Sequence, residues 1–263
     1  MAGTAVRASL HECYVAENRQ AGAYRLVSVV SAEIAAAARA GQFIMVRKAG
    51  SSLDPLLPRP MGVHDIDADL VKLLVEPVGK GTRVLAETAV GDRLSILGPL
   101  GRGFDLSGAG PALLAGGGIG ISLLALLARE LTAAGREVRC LLGFRTRHQA
   151  VAAELFKGFE VEVYTEDGTV GEKGMVSEPL SRHISDYGKG QGAAEVFACG
   201  PHAMLKAVAR LSAEHRLKAQ LSLAAHMACG VGACQGCVVE TVDGYKKACS
   251  EGPVFAAEDI AWQ

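Results

Sequence analysis

No excess of charge marks this chain: 27 Lys and Arg stand against 28 Asp and Glu, a formal net charge of -1 over 263 residues. Neutralising a phosphate backbone takes a basic stripe, so this balance gives no electrostatic case for nucleic-acid binding. A basic N-terminal segment followed by an apolar core and a cleavage site is missing, so no secretory signal is read. The expected compartment is the cytoplasm, where reducing conditions keep thiols free. One run, residues 111–128, goes 18 residues without a charge, which approaches the length of a membrane span. Its centre is Gly116-Gly117-Gly118-Ile119-Gly120, which reads as strand, tight turn and helix, so no membrane span is expected. Internal repeats, low-complexity tracts, a Ser-His-Asp arrangement and paired carboxylates are also missing, and the seven His have no metal-ligand spacing.

What is present is apolar content for a sizeable core, 49% of residues, in two differently patterned halves. Residues 5–15, 23–30, 42–48, 70–77 and 93–97 read as short strands separated by turns at 18–22, 50–55 and 91–92. Such spacing predicts an antiparallel barrel. A Gly- and Pro-rich segment, residues 98–103, marks a boundary. Beyond it, expected strands at 112–115, 137–143, 160–165, 195–199 and 218–223 alternate with helices at 119–134, 176–184 and 202–214. Alternation of this kind predicts a doubly wound parallel sheet.

The most specific signal is Cys229, Cys234, Cys237 and Cys249, spaced C-x4-C-x2-C-x11-C. Four thiolates in this pattern suit a [2Fe-2S] cluster. Small residues between them, Gly230, Gly232, Ala233 and Gly236, let a tight loop turn backbone N–H groups toward the sulfurs. A structural zinc site is the alternative, although its knuckles usually lie far apart in sequence. A disulfide framework fits small secreted domains better than a chain with an odd number of cysteines, seven. Cys13 and Cys140 sit in apolar runs and read as buried small hydrophobes.

Three weaker motifs accompany the cysteines. Gly116 to Gly120 would bring a ligand close to the backbone at a helix start, which suits a pyrophosphate, although G-x-G-x-x-G is absent. Cys199-Gly200-Pro201 ends a strand on the side where such sheets bind ligands. Arg59-Pro60-Met61-Gly62, with Gly81-Thr82 about twenty residues later, could hold an anionic cofactor from two sides. Taken singly, each also reads as an ordinary turn, strand end or surface Arg.

Together, and in this order, the motifs resemble those of the ferredoxin–NADP reductase superfamily: R-P-x-S/T for flavin, G-G-G-I-G for nucleotide, then C-G-P. The cysteine motif narrows the resemblance to the electron-transfer subunits of B-type, NAD-linked dihydroorotate dehydrogenases, over essentially the whole chain. The resemblance implies a multi-domain β plus α/β fold. Its parts are an antiparallel FAD-binding β-barrel (1–100), a doubly wound parallel-sheet NAD-binding domain (101–220) and a small C-terminal [2Fe-2S] unit (221–263). By the same resemblance Arg59, Pro60, Met61 and Gly62 lie along the flavin, with Leu74, Val75 and Glu76 on the strand beside it. Gly81 and Thr82 open the pyrophosphate helix, and Gly116, Gly117, Gly118, Ile119 and Gly120 take the nicotinamide dinucleotide. Cys199, Gly200 and Pro201 lie near the nicotinamide, and the four cysteines ligate the cluster. The implied activity carries electrons between NAD+ and a flavin-containing dihydroorotate dehydrogenase catalytic subunit, in a hetero-oligomer of pyrimidine biosynthesis. No catalytic acid or base is implied. A relative serving NADPH–ferredoxin or sulfide chemistry is the alternative, and Arg145 and Arg147 leave nucleotide choice open. Two positions depart from the family pattern. Gly62 stands where a Ser or Thr hydroxyl commonly meets the flavin, and Leu123 stands where Pro often follows the glycine loop.

Overall fold

The fold is that of a computed structural model, which describes residues 8–50, 54–186 and 194–262. Residues 5–7 of the first expected strand and 51–53 of an expected turn lie outside them. The first half is a curled antiparallel sheet of seven strands: β1 (Ser9–Ala21), β2 (Tyr24–Val30), β3 (Phe43–Lys48), β4 (Arg59–Gly62), β5 (Asp65–Asp67), β6 (Leu70–Val75) and β7 (Arg93–Leu100). Their order is β4-β3-β7-β1-β2-β6-β5. Apolar residues such as Val27, Val29, Ile44, Val46, Val71, Leu73 and Ile96 fill the concave face. The expected barrel is a half-barrel, because β4 and β5 end the sheet without pairing each other. The segment between them continues both ladders: Val63 N–H donates to Gln42 O beside β3 at 3.1 Å, and His64 N–H to Lys72 O of β6 at 2.9 Å. Two short strands, β4 and β5, were not expected. Pro60 and the acidic Asp65-Ile66-Asp67 segment break the alternation by which strands are read.

The second half has β8 (Ala112–Gly117), β9 (Val138–Phe144), β10 (Glu160–Thr165), β11 (Glu172–Lys173), β12 (Glu195–Cys199) and β13 (Ala219–Ser222). A hairpin of β14 (Val238–Thr241) and β15 (Gly244–Lys247) precedes β16 (Val254–Ala256). The sheet order is β11-β10-β9-β8-β12-β13-β16, parallel except for β16, which runs antiparallel to β13. β8 reads as fully buried, as a central parallel strand covered on both faces must be. The helices His202–Glu214 and Ser177–Asp186 follow the expected pattern. The helix expected over 119–134 begins differently: Gly118–Leu123 is a 3-10 turn and the α-helix proper is Leu124–Ala133. No side chain caps either start, and no Pro pre-sets the first α-helical turn, so the entry tightens into 3-10 bonding. Among the described residues no helix is long and apolar enough to cross a membrane.

A seam joins the halves. His64 is 2% exposed; its Nδ1–H donates to Ser122 O at 3.1 Å, and its own carbonyl accepts from Leu126 N–H at 2.9 Å. Beside it the Arg129 guanidinium donates to the Asp65 carboxylate and to Ile66 O. Under the second sheet, Arg136 is paired with Glu195 at 3.2 Å, donates to Gly110 O at 2.7 Å, and lies 5.5 Å from the Phe197 ring centroid. Gln220 donates to the other Glu195 oxygen at 2.9 Å.

Both buried groups give measurable consequences. Arg136→Leu leaves the Glu195 carboxylate buried without its partner and is expected to cost about 3–5 kcal/mol, read as a lower urea midpoint; adding Glu195→Leu should recover much of the loss. Burial pulls the His64 pKa from 6.5 to about 4, opposed by its bond to Ser122 and by Asp65, and reinforced by Lys72 and Arg129. The unfolded chain therefore binds the extra proton first, and the stabilisation present above about pH 6.5 is lost as pH falls toward 4. The stability advantage of wild type over His64→Asn should shrink across that window by on the order of 3 kcal/mol. A gap in urea midpoints that stays constant with pH would refute this.

Candidate functional site

The residues singled out in the sequence fall into three groups that meet between and beside the sheets. At the carboxyl end of β8, Gly116 pairs with Cys199 of the neighbouring β12. A Cβ on Gly117 would lie 2.6 Å from Met204 Sδ and 2.9 Å from Pro201 Cδ. One on Gly120 would overlap the Cys199 carbonyl and lie 2.6 Å from Gly200 N. The glycine loop and the Cys-Gly-Pro segment thus form one surface, in backbone contact that any side chain would prevent. Gly118 has φ +54 and nothing within 4 Å of where its Cβ would be, so the loop presents bare backbone on its open side. Cys199 is buried, which pushes its thiol up to about 12; it is a neutral packing group.

The second group lies on the half-barrel. β4 carries Arg59 to Gly62 antiparallel to β3, with Val46 opposite Arg59 and Phe43 opposite Gly62. The helix Lys80–Ala86 brings Gly81 under Arg59, so closely that a Cβ at Gly81 would lie 2.5 Å from Arg59 Cζ. A small hollow here is lined by Arg47, Lys48, Arg59 and Gly81, with Val46, Pro55, Leu57, Val84 and Leu85. Thr82 uses its hydroxyl locally: Oγ1 is 3.0 Å from Gly79 N and 3.1 Å from Gly79 O, closing the first helical turn. Leu74 and Val75 are buried, so beside them only backbone and the half-buried Glu76 face outward. Gly62 leaves this group: its missing side chain faces Leu123 and Ser122 in the 3-10 turn of the other half.

The third group is the cysteine loop. Cys229 Sγ accepts from Val231 N–H and Cys234 N–H, each at 3.4 Å. Cys249 Sγ accepts from Gly232 N–H at 3.1 Å, and Cys237 Sγ from Cys249 N–H at 3.4 Å. The thiols form two neighbouring pairs, Cys229 with Cys234 and Cys237 with Cys249. The backbone donors of Cys234 and Val231 hold the Cys229 thiol down to about 6. Burial first, and then Cys237, pushes Cys249 up to about 11. Among the described residues no three His, Cys, Asp or Glu converge as a single metal ion requires. Two sulfur pairs surrounded by N–H donors match the donor set of a two-iron cluster, two thiolates to each iron.

Several residues of this region escaped the sequence reading. Cys237 and Cys249 are buried in an apolar cluster with Ala248, Phe43, Met45 and Leu100. Gly230, at φ +73, touches the same wall: a Cβ there would lie 2.6 Å from Met45 Cγ and 3.1 Å from Leu100 Cδ1. Met45 is directly opposite Pro60 across the β3–β4 ladder. Tyr24 is fully buried, and among the described residues its hydroxyl has no partner; burial and the nearby Glu76 raise its pKa. Met45 and Leu100 read only as core residues in sequence, and nothing short of the fold places them against the cysteines.

Residues 224–261 match the family model of the iron-sulfur cluster binding domain of dihydroorotate dehydrogenase B. The dihydroorotate dehydrogenase B (NAD(+)) electron transfer subunit of Desulforamulus reducens is 39% identical over 240 residues, 88% of this chain and 90% of that protein. That of Bacillus caldolyticus is 40% identical over 84% of this chain and 86% of its own length. A solved structure of an NADH-dependent reduced ferredoxin-NADP oxidoreductase superposes with a TM-score of 0.84 at 27% identity, covering 100% of this chain and 92% of that one. Phthalate dioxygenase reductase shares the fold, with a TM-score of 0.63 at 15% identity over 89% of this chain and 87% of that one. With such identity over nearly its full length, the chain belongs to the family of dihydroorotate dehydrogenase B (NAD(+)) electron transfer subunits.

Proposed function

We propose that this chain moves electrons between the flavin-containing catalytic subunit of a cytoplasmic dihydroorotate dehydrogenase and NAD+, as one component of a hetero-oligomer. Bound FAD supplies the exchange between two-electron hydride chemistry and one-electron transfer, and a [2Fe-2S] cluster supplies the one-electron relay. The observation that carries this reading is the packing of the paired cysteines. Cys237 and Cys249 share one apolar wall with Met45, whose strand is hydrogen-bonded to the Arg59–Gly62 strand. This contact, one strand from Arg59–Gly62, supports a cluster next to the flavin.

The chain's own residues then divide the work. Cys229, Cys234, Cys237 and Cys249 would hold the cluster, and N–H groups of Val231, Gly232, Cys234 and Cys249 would offset the negative charge on sulfur. Arg59, with Gly81 and Thr82 at the helix start, receives the flavin phosphates. Pro60, Met61 and the backbone of Gly62 would line the ring, and Leu74, Val75 and Glu76 would border it. Gly116, Gly117, Gly118, Ile119 and Gly120 receive the dinucleotide, and Cys199, Gly200 and Pro201 border the nicotinamide. Residues 1–100, 101–220 and 221–263 are the flavin, nucleotide and cluster units. The exposed rim of the loop, Val231, Ala233, Cys234 and Gln235, is where electrons would pass between the cluster and the catalytic subunit. For nucleotide choice, Arg145 and Arg147 are both exposed after β9, with Arg147 donating to the Thr169 carbonyl at 2.9 Å. NAD is assigned on the relatives, which are NAD(+) electron transfer subunits.

The decisive measurement is an anaerobic visible spectrum of the purified chain, with iron, sulfide and flavin quantified, before and after NADH. Flavin and cluster absorption, both bleached by NADH, are expected. Zinc in place of iron, with no flavin, would sink the reading. Cys237→Ser should abolish iron incorporation, whereas Cys199→Ser and Cys140→Ser should retain it, since those thiols are buried away from the loop and pushed up to about 12. Kinetics equal with NADH and NADPH would count against the nucleotide assignment.

A further inference from the structure

The two positions at which the chain departs from its family's motifs are in contact. Gly62 ends the flavin-motif strand, and a Cβ built there would lie 2.5 Å from Leu123 Cδ2, 2.9 Å from Leu123 Cγ and 3.5 Å from Ser122 Oγ. Leu123 is 7% exposed. Its side chain thus occupies the space that a residue at position 62 would need. Turning the Leu123 methyl groups away would not relieve the overlap, because Cγ itself is too close. Two residues on, His64 Nδ1–H donates to Ser122 O at 3.1 Å, and Leu126 N–H donates back to His64 O at 2.9 Å. Burial keeps His64 neutral, and a carbonyl only accepts, so Nδ1 carries the proton.

We propose that Leu123 and His64 are positioning residues that set the gap between the Arg59–Gly62 strand and the Gly116–Gly120 loop, and with it the alignment of nicotinamide against flavin. The inference rests on the reading above. Leu123 is the stop: it fixes how near the 3-10 turn approaches β4. The His64–Ser122 bond is the tether that keeps the turn from moving away. Both act on the first residues after the glycine loop, so a shift at either is passed directly to that loop. The scale is sufficient. Ordinary carbon contacts lie at about 3.5–4.0 Å, so a Cβ at position 62 forces a displacement of about 1 Å. Hydride transfer needs its atoms about 3–3.5 Å apart, and misplacement of that size costs orders of magnitude in rate.

Two measurements on the full chain test this. The first is a double-mutant cycle in melting temperature with Gly62→Ala, Leu123→Ala and the pair. Gly62→Ala alone should lower the midpoint, and the same change in the Leu123→Ala background should lower it far less; additive shifts overturn the stop. The second is stopped-flow bleaching of the flavin by NADH in the reconstituted chain. His64→Asn, whose amide N–H reproduces the Nδ1 donor, should keep the wild-type rate. His64→Leu should slow it on the order of tenfold or more, with flavin content and the NADH concentration for half-maximal rate little changed. His64→Leu behaving as His64→Asn overturns the tether. If NADH fails to bleach the flavin of the wild type, the functional reading falls and this inference with it. If wild type bleaches and the variants break the pattern, the inference falls alone.

Discussion

Close approach without an intervening Cβ is the constraint on which the rest of the structure depends. Gly120 lies on the Cys199–Gly200 backbone, Gly81 under Arg59, Gly62 on Leu123, and Gly230 on Met45 and Leu100. Each contact joins parts of the chain that are distant in sequence, and each proposed cofactor site has one at its edge. Inserting a methylene into a packed contact typically costs about 1–3 kcal/mol. At these positions the larger effect is geometric, because the displaced partner is itself part of a site. Glycine is thus used here less for unusual backbone angles than to bring separate units into direct contact.

Charge is handled by the same economy. The seven cysteines divide according to what surrounds them. Cys13, Cys140 and Cys199 are desolvated and raised, which makes them inert packing groups. Cys229 is lowered because backbone N–H groups of its own loop point at its sulfur. Cys249 is the intermediate case, buried and beside Cys237, so that its thiolate needs a cation to be stable there. Cys229, held down by N–H donors, and Cys249, held up by burial, make the cradle asymmetric. Cys237 and Cys249 are buried against the half-barrel, Cys229 is half-buried and Cys234 is exposed.

Much of this was legible in the sequence, and the exceptions have physical causes. β10, β12 and the helix His202–Glu214 follow from apolar periodicity, because each is bounded by polar or Gly-Pro punctuation. β4 and β5 were hidden because Pro60 and two aspartates interrupt the pattern at the edges of the sheet, where alternation is weakest. The strand β1 runs through the expected turn at 18–22 to Ala21, since Asn18 and Gln20 pair with β2 and turn their side chains to Arg25. The cysteine spacing was readable because its four members lie within one short segment. Contacts such as Gly62 with Leu123, or Gly230 with Met45, join residues 61 and 185 positions apart. No local pattern encodes them. The sequence named both departures from the family motifs but not that they touch.

The cluster unit shows why position in the chain matters. Residues 224–261 are too few to enclose a core of their own, since small chains bury too little surface. This segment borrows one from each neighbour. Val254 to Ala256 extend the parallel sheet as β16, antiparallel to β13. Cys237, Ala248 and Cys249 close over Phe43, Met45 and Leu100 of the half-barrel. The core of this segment is therefore completed by both sheets. Its place follows from their packing rather than from its own residues alone.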